Sequence, residues 1–145
     1  MFKHILLPTD GSPLSEAVIQ KGMRFAKSIG ARVTGLYVIP PYRLLGGGKE
    51  SLADTKGQYD RDSKARAQTF LGPILDLGKE LGVSTDSVAE TSNHPYEAII
   101  RAAETRGCDL IMMASHGRRG FQALVIGSET NKVLTHTKIP VLVFR

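Results

Sequence analysis

The 145-residue chain has no tryptophan, a single cysteine and only 6% aromatic residues. Cys108 has no second thiol to pair with, so a disulfide-stapled scaffold is excluded and no oxidising compartment is indicated. Long apolar runs are also lacking: the stretches at 111–114 and 140–144 fall far short of the ~20 residues a membrane helix needs. The amino terminus meets Asp10 and Gly11 before a signal-like apolar core can form. A cytoplasmic protein with no membrane partner is the expectation. Charge of one sign is scarce too. Lys and Arg number 19 against 14 Asp and Glu, with 11 basic and 6 acidic residues in 1–75 and 8 of each in 76–145. A nucleic-acid footprint needs a dense basic stripe, often interleaved with aromatics, so no nucleic-acid partner is expected. His4, His94, His116 and His136 have no metal-ligand spacing, and no resident metal is expected.

Two familiar phosphate motifs are missing. In the glycine-rich stretch around 46–48, Arg43 stands where the first glycine of a P-loop belongs and Glu50 where its Ser or Thr belongs. No G-x-G-x-x-G follows the first strand either. What the chain does have is alternation. An apolar run at 2–8 enters the turn Pro8-Thr9-Asp10-Gly11-Ser12-Pro13, where Ser12 and Pro13 form an N-cap and first-turn pair for a helix lasting to Gly30. A β-branched strand at 31–40 stops at Pro40-Pro41. Residues 40–58 read as a long loop, a candidate lid. Helical periodicity then runs over 59–81, with Gly72-Pro73 predicting a kink or break. Strand signals at 83–90, 109–114 and 139–144 alternate with helix signals at 96–107 and 128–137. Cys108, at a strand start, reads as a small buried apolar residue.

Five strands and four helices in alternation predict an α/β fold: one domain, an open parallel five-stranded sheet, helices on both faces, doubly wound. The strands read as apolar on both faces. The orders 2-1-3-4-5 and 3-2-1-4-5 both suit the pattern, and 3-2-1-4-5 is the order expected. Ligands of such sheets bind beyond the strand carboxyl ends, where strand order reverses. That directs attention to the loops at 8–13 and 114–128 and to the end of strand 2 at Val38.

The second loop carries the chemistry. Ala114-Ser115-His116-Gly117 is followed by nine residues and then Gly127-Ser128 at a helix start. Small residues at both corners let backbone amides approach an anion, and the helix amino terminus adds donors and the positive end of a dipole. Asp10 can serve turn chemistry or a ligand; because Ser12 and Pro13 account for the cap, it reads as free for another task. Ser128 and Thr130 can act as helix N-cap and first-turn residue, as phosphate contacts, or as both.

With these segments in view, the chain resembles the universal stress protein family, in particular its ATP-binding branch with the motif Gly-x2-Gly-x9-Gly-Ser/Thr. The resemblance spans 5–12, the end of strand 2, 109–120, 127–134 and the closing strand; Ala114 departs from it at the first glycine. It implies ATP, with Mg²⁺ arriving on the nucleotide. Pro8, Thr9 and Asp10 would flank the adenosine, with Asp10 and the Val38 backbone on the adenine side. Met113 and Ala114 would follow the ribose. Gly117, Gly127, Ser128, Glu129 and Thr130 would surround the phosphates, with Arg118 and Gly120 in the same loop. An Ala114 methyl at a strand end should cost only room beside the sugar, since no left-handed backbone is expected there. A homodimer through the final strand is implied too. The function expected is adenine-nucleotide binding that orders loops and partner surfaces; the alternatives are an interaction module without nucleotide and a slow ATP hydrolase or nucleotidyl transferase.

Overall fold

The computed structural model describes residues 1–43, 52–117 and 126–145, with the side chains of 52–54 excepted. Residues 44–51 of the expected lid, and both Arg118 and Gly120, lie outside the described residues. The order of elements is β1 (His4–Thr9), α1 (Pro13–Ile29), β2 (Arg32–Ile39), α2 (Leu52–Leu81), β3 (Thr85–Thr91), α3 (Pro95–Arg106), β4 (Leu110–Ala114), α4 (Ser128–His136) and β5 (Val141–Phe144). All pairings are parallel and the sheet order is β3-β2-β1-β4-β5, as expected.

Alternate side chains of the buried strands feed two cores. Ile5, Leu7, Val33 and Met112 pack with Val18, Ile19 and Met23 of α1 and Leu71 and Ile74 of α2. Leu6, Leu36, Ile111 and Met113 pack with Ile99, Ala102 and Ala103 of α3 and Val133 of α4. Burying one such side chain contributes about 1.5–3 kcal/mol, which is why the inner strands must be apolar on both faces. β3 departs from that expectation. As an edge strand it alternates half-buried and exposed residues, with Asp86, Ala89 and Thr91 exposed. Cys108 belongs to the second core, and burial pushes its thiol up to about 11.

Helix ends follow their local chemistry. Ser12 caps α1 by accepting from the Ser15 amide at 3.2 Å, Pro13 follows, and Gly30 ends the helix in the left-handed region at φ 68°. The amino-terminal half of α2 corrects the expected loop. The helix starts at Leu52 rather than near Tyr59 and runs through Gly72-Pro73 without a break. Gln58 Nε2 donates to Asp62 Oδ1 at 2.7 Å and Arg61 donates to Gln58 Oε1 at 3.0 Å, one helical turn apart. Pro73 removes one ladder donor, but Ala67, Leu71 and Ile74 on either side are buried against the sheet, which holds both halves in line.

At the amino ends of the strands a buried polar chain fixes register. An Arg32 guanidinium N lies 3.0 Å from His4 Nδ1, and arginine can only donate, so Nδ1 accepts and Nε2 carries the proton. Nε2 then donates to Thr34 Oγ1 at 2.7 Å, and Thr34 donates to Asp86 Oδ1. Arg106 holds the other Asp86 oxygen at 3.0 Å, and Asp109 accepts from the amides of Lys3 and His4. Burial, and then the Arg32 charge, lower the His4 pKa below 6.5, against weaker upward pulls from Asp86 and Asp109. A folded value below the unfolded one contributes stability that is complete above pH 6.5 and lost as pH falls through the folded value. Urea midpoints of the wild type should therefore drop between neutral and mildly acidic pH. His4→Gln, which cannot titrate, should show a smaller drop; equal slopes would exclude His4 as the cause.

Candidate functional site

Strand order reverses at β1, which has β2 on one side and β4 on the other. The β1–β4 ladder consists of two pairs, Ile5 with Leu110 and Leu6 with Ile111. Both strands run on, to Thr9 and Ala114, without further pairing to each other. Pro8 has no N–H to give to a ladder, and the β1–β4 ladder ends two residues before it. The result is a split in the sheet at the carboxyl ends of its two central strands. On the far side of β1, pairing with β2 ends at Thr9 with Tyr37, while β2 continues to Ile39. The β1-facing edge of β2 is thus open from Val38 onward, and the Val38 side chain packs into the second core.

The loops after β1 and β4 meet over this split. Asp10 Oδ1 accepts from the Ser12 amide at 2.9 Å and from Ser15 Oγ at 3.0 Å. This corrects the reading that Ser12 leaves Asp10 free, since both residues hold the start of α1. The other oxygen, Oδ2, lies so close to Gly117 that a Cβ there would stand 2.4 Å from it. Gly117 is therefore a contact glycine; its φ is not positive. Thr9 is buried, its Oγ1 accepting from the Gly11 amide and lying 3.2 Å from Ser15 Oγ.

The second corner is tied down as firmly. The Ser115 amide donates to the Phe144 carbonyl at 2.7 Å, and the Ser115 carbonyl accepts from the Gly127 amide at 2.6 Å. That last bond corrects one expectation: the Gly127 N–H closes the loop and is spent, so it is not an anion donor. The site tolerates little more than hydrogen at Gly127, because a Cβ would approach the Ser115 carbonyl to 3.1 Å and His116 Cα to 3.2 Å. Gly127, not Ser128, is the N-cap of α4. Thr130 Oγ1 donates to the Ala114 carbonyl at 2.9 Å, so its hydroxyl ties α4 to β4 and is not a ligand for phosphate. Ala114 is not in the left-handed region, as expected, and Met113 is only 7% exposed, so the backbone rather than the side chain faces the split.

The first turn of α4 lacks a side-chain cap, unlike that of α1. Among the described residues the amides of Ser128, Glu129 and Thr130 have no protein acceptor, as the first donors of an uncapped helix. The Glu129 carboxylate does not join them. It accepts from the Tyr96 amide at 3.0 Å, capping α3, and lies 3.4 Å from Lys132 Nζ. Its negative charge is thereby kept at the neighbouring helix start, where the α3 dipole favours it. Glu129→Gln should cost about 0.5–1 kcal/mol of stability in chemical denaturation through that cap, with little change in anion affinity. A strong rise in affinity on neutralisation would instead place the carboxylate among the anion contacts.

The sequence profile of the universal stress protein family matches residues 1–145. A universal stress protein from Thermus aquaticus is 29% identical over 145 residues, covering all of both chains. Universal stress protein MJ0577 of Methanocaldococcus jannaschii is 27% identical over 156 residues, covering all of this chain and 96% of the relative. Its solved structure superposes with a TM-score of 0.74, covering 99% of this chain and 95% of that one, at 25% identity. A universal stress protein family structure from Arabidopsis thaliana, described as having AMP bound, superposes with a TM-score of 0.69 at 14% identity, covering 98% and 90% of the two chains. That likeness is one of fold. With the profile spanning every residue and the fold shared, the chain belongs to the universal stress protein family.

Proposed function

We propose that the split between β1 and β4 binds an adenine nucleotide, ATP with its accompanying Mg²⁺, and that occupancy sets the arrangement of the surrounding loops. The observation that carries this reading is the uncapped first turn of α4. Three amides, Ser128 to Thr130, stand at the carboxyl end of β4 with a dipole that favours an anion. Charge-assisted bonds contribute ~1.5–3 kcal/mol each, so three of them suffice to anchor a phosphate chain. In this reading the open backbone edge at Val38 takes the adenine, Pro8 and Thr9 wall the adenosine, Asp10 stands beside Gly117 at the meeting of the loops, and Met113 and Ala114 contribute backbone along the ribose. Arg118 and Gly120 follow Gly117 in the same loop. The fold shared with an AMP-bound plant protein supports an adenine nucleotide as occupant.

Binding rather than turnover is the activity proposed. The carboxylate nearest the split, Asp10, already holds Ser12 and Ser15 with one oxygen, which suits a positioning group better than a base for water. A second copy along β5 completes the reading: β5 is an edge strand with Leu142 42% exposed, so its backbone and apolar surface are open to pairing. Calorimetric titration with ATP, AMP and GTP tests the assignment. ATP should bind at least about tenfold tighter than GTP, because a site that hydrogen-bonds one base edge leaves groups unpaired with another. Turnover should remain below about one per minute, far under the ordinary enzyme range. Equal affinity for ATP and GTP, or none for either, contradicts the reading.

A further inference from the structure

A cavity of about 710 Å³ lies between the amino-terminal half of α2 and the carboxyl ends of β2 and β3. Among the described residues it shares no lining residue with the β1–β4 split, and its size is in the range of about 300–1,000 Å³ typical of small-ligand sites. Carbon dominates its walls, through Ile39, Pro41, Ala67 and Ala89. Tyr42 and Tyr59 add two rings with centroids 5.4 Å apart. Their hydroxyls are engaged, Tyr42 with Thr55 Oγ1 at 2.7 Å and Tyr59 with the Pro40 carbonyl, so what they offer a ligand is ring surface. A smaller cavity of about 290 Å³ adjoins it, sharing Lys64, Ala67 and Ala89 and continuing past Leu71 and Leu75.

Two polar features depart from this apolar character. Among the described residues, Lys56 and Lys64 line the cavity against a single carboxylate, Asp60, an excess of positive charge. Ser63 also lines it, is 3% exposed, and its Oγ has no hydrogen-bond partner among the described residues. A buried hydroxyl left without a partner is a cost that folding ordinarily avoids. We propose that this cavity is a second ligand site, for a small organic anion with an apolar or aromatic body. Its carboxylate-type head lies against Lys56 and Lys64, a polar atom bonds Ser63 Oγ, and its body lies between the tyrosine rings and the alanines of α2 and β3.

The test is a titration followed by amide chemical shifts, with 1-naphthoate, neutral 1-naphthalenemethanol and cationic 1-naphthylmethylammonium as probes. Naphthoate should move the amides of Ser63, Ala67 and Ala89 and bind at least five times more tightly than either analogue. Ala89→Trp, at an exposed position on β3, should weaken naphthoate at least tenfold by filling the cavity without disturbing the core. Ser63→Ala should weaken it at least threefold while the melting temperature stays level or rises, an opposition that a purely structural serine would not produce. Saturating ATP should leave naphthoate affinity unchanged. Equal binding of the three probes, wild-type affinity in either variant, or displacement by ATP overturns the proposal.

Discussion

Gly117→Val should lower ATP affinity about 100-fold, the loss of roughly 2.7 kcal/mol, while moving the melting temperature of the unliganded protein by less than ~3 °C. The effect originates in the contact between the two loops. A Cβ at Gly117 would stand 2.4 Å from Asp10 Oδ2, and Asp10 cannot simply swing away because Oδ1 holds the Ser12 amide and Ser15 Oγ. The valine must therefore push the β4 loop away from β1, widening the approach to the α4 amides beyond hydrogen-bond reach. Gly117 is exposed and not in the left-handed region, so the unliganded fold loses little. Asp10→Ala provides the matching control. In that background Gly117→Val should cost measurably less affinity, since the obstacle it meets is gone; additive losses would show that the glycine acts through something other than Asp10. The result depends on the nucleotide reading and is distinct from the naphthoate titration, which uses neither residue.

The second large effect is on stability. Gly11→Val should lower the melting temperature by roughly 10 °C, from two costs that add. Gly11 has φ 76°, where a side chain costs ~1–2 kcal/mol. Its Cβ would also stand 2.3 Å from the Phe70 ring, and overpacking of that kind costs about 1–3 kcal/mol. Phe70 in turn packs edge-on to Tyr37 at 5.3 Å, so the ring has little room to yield. Two comparisons separate the terms. Gly30→Ala has φ 68° and nothing within 4 Å, so it should show the backbone cost alone. In a Phe70→Ala background, Gly11→Val should add only the backbone cost to what Phe70→Ala itself loses. If Gly11→Val melts with the wild type, α2 does not clamp the β1–α1 turn.

Much of this architecture is legible in local sequence. Ser12-Pro13 and Gly30 mark the ends of α1, and Gly107 marks the end of α3, because capping depends on residues within a turn of each other. The beginning of α2 is not legible in the same way. Residues 52–58 are mostly polar and contain Gly57, so no apolar period marks the start of the helix; side-chain pairs from Gln58 to Asp62 and Arg61, and the Tyr59 bond back to Pro40, follow within its next turn. Asp10 Oδ1 is tied to the start of α1, which no local signal shows. Ser12, Asp10 and Ser15 hold the start of α1 together, where the Ser12-Pro13 pair by itself predicts a single cap. The Glu129 carboxylate reaches Tyr96 on another helix, a long-range contact that its neighbours in the motif do not reveal. The Ser63 cavity had no sequence signal, since a serine in a polar helix is unremarkable until its face is shown to be buried.

The sequence by itself determined the alternation of strands and helices, the apolar inner strands, the two small-residue corners and family membership. Each of these is written in spacing and composition, which act over a few residues. Tertiary structure alone decided where the β1–β4 ladder stops. It also decided which donors remain for a ligand, because the competition for them is long-range. Phe144 takes up the Ser115 amide, Ser115 uses up the Gly127 amide, and Ala114 occupies the Thr130 hydroxyl, so that among the described residues three α4 amides are what remains.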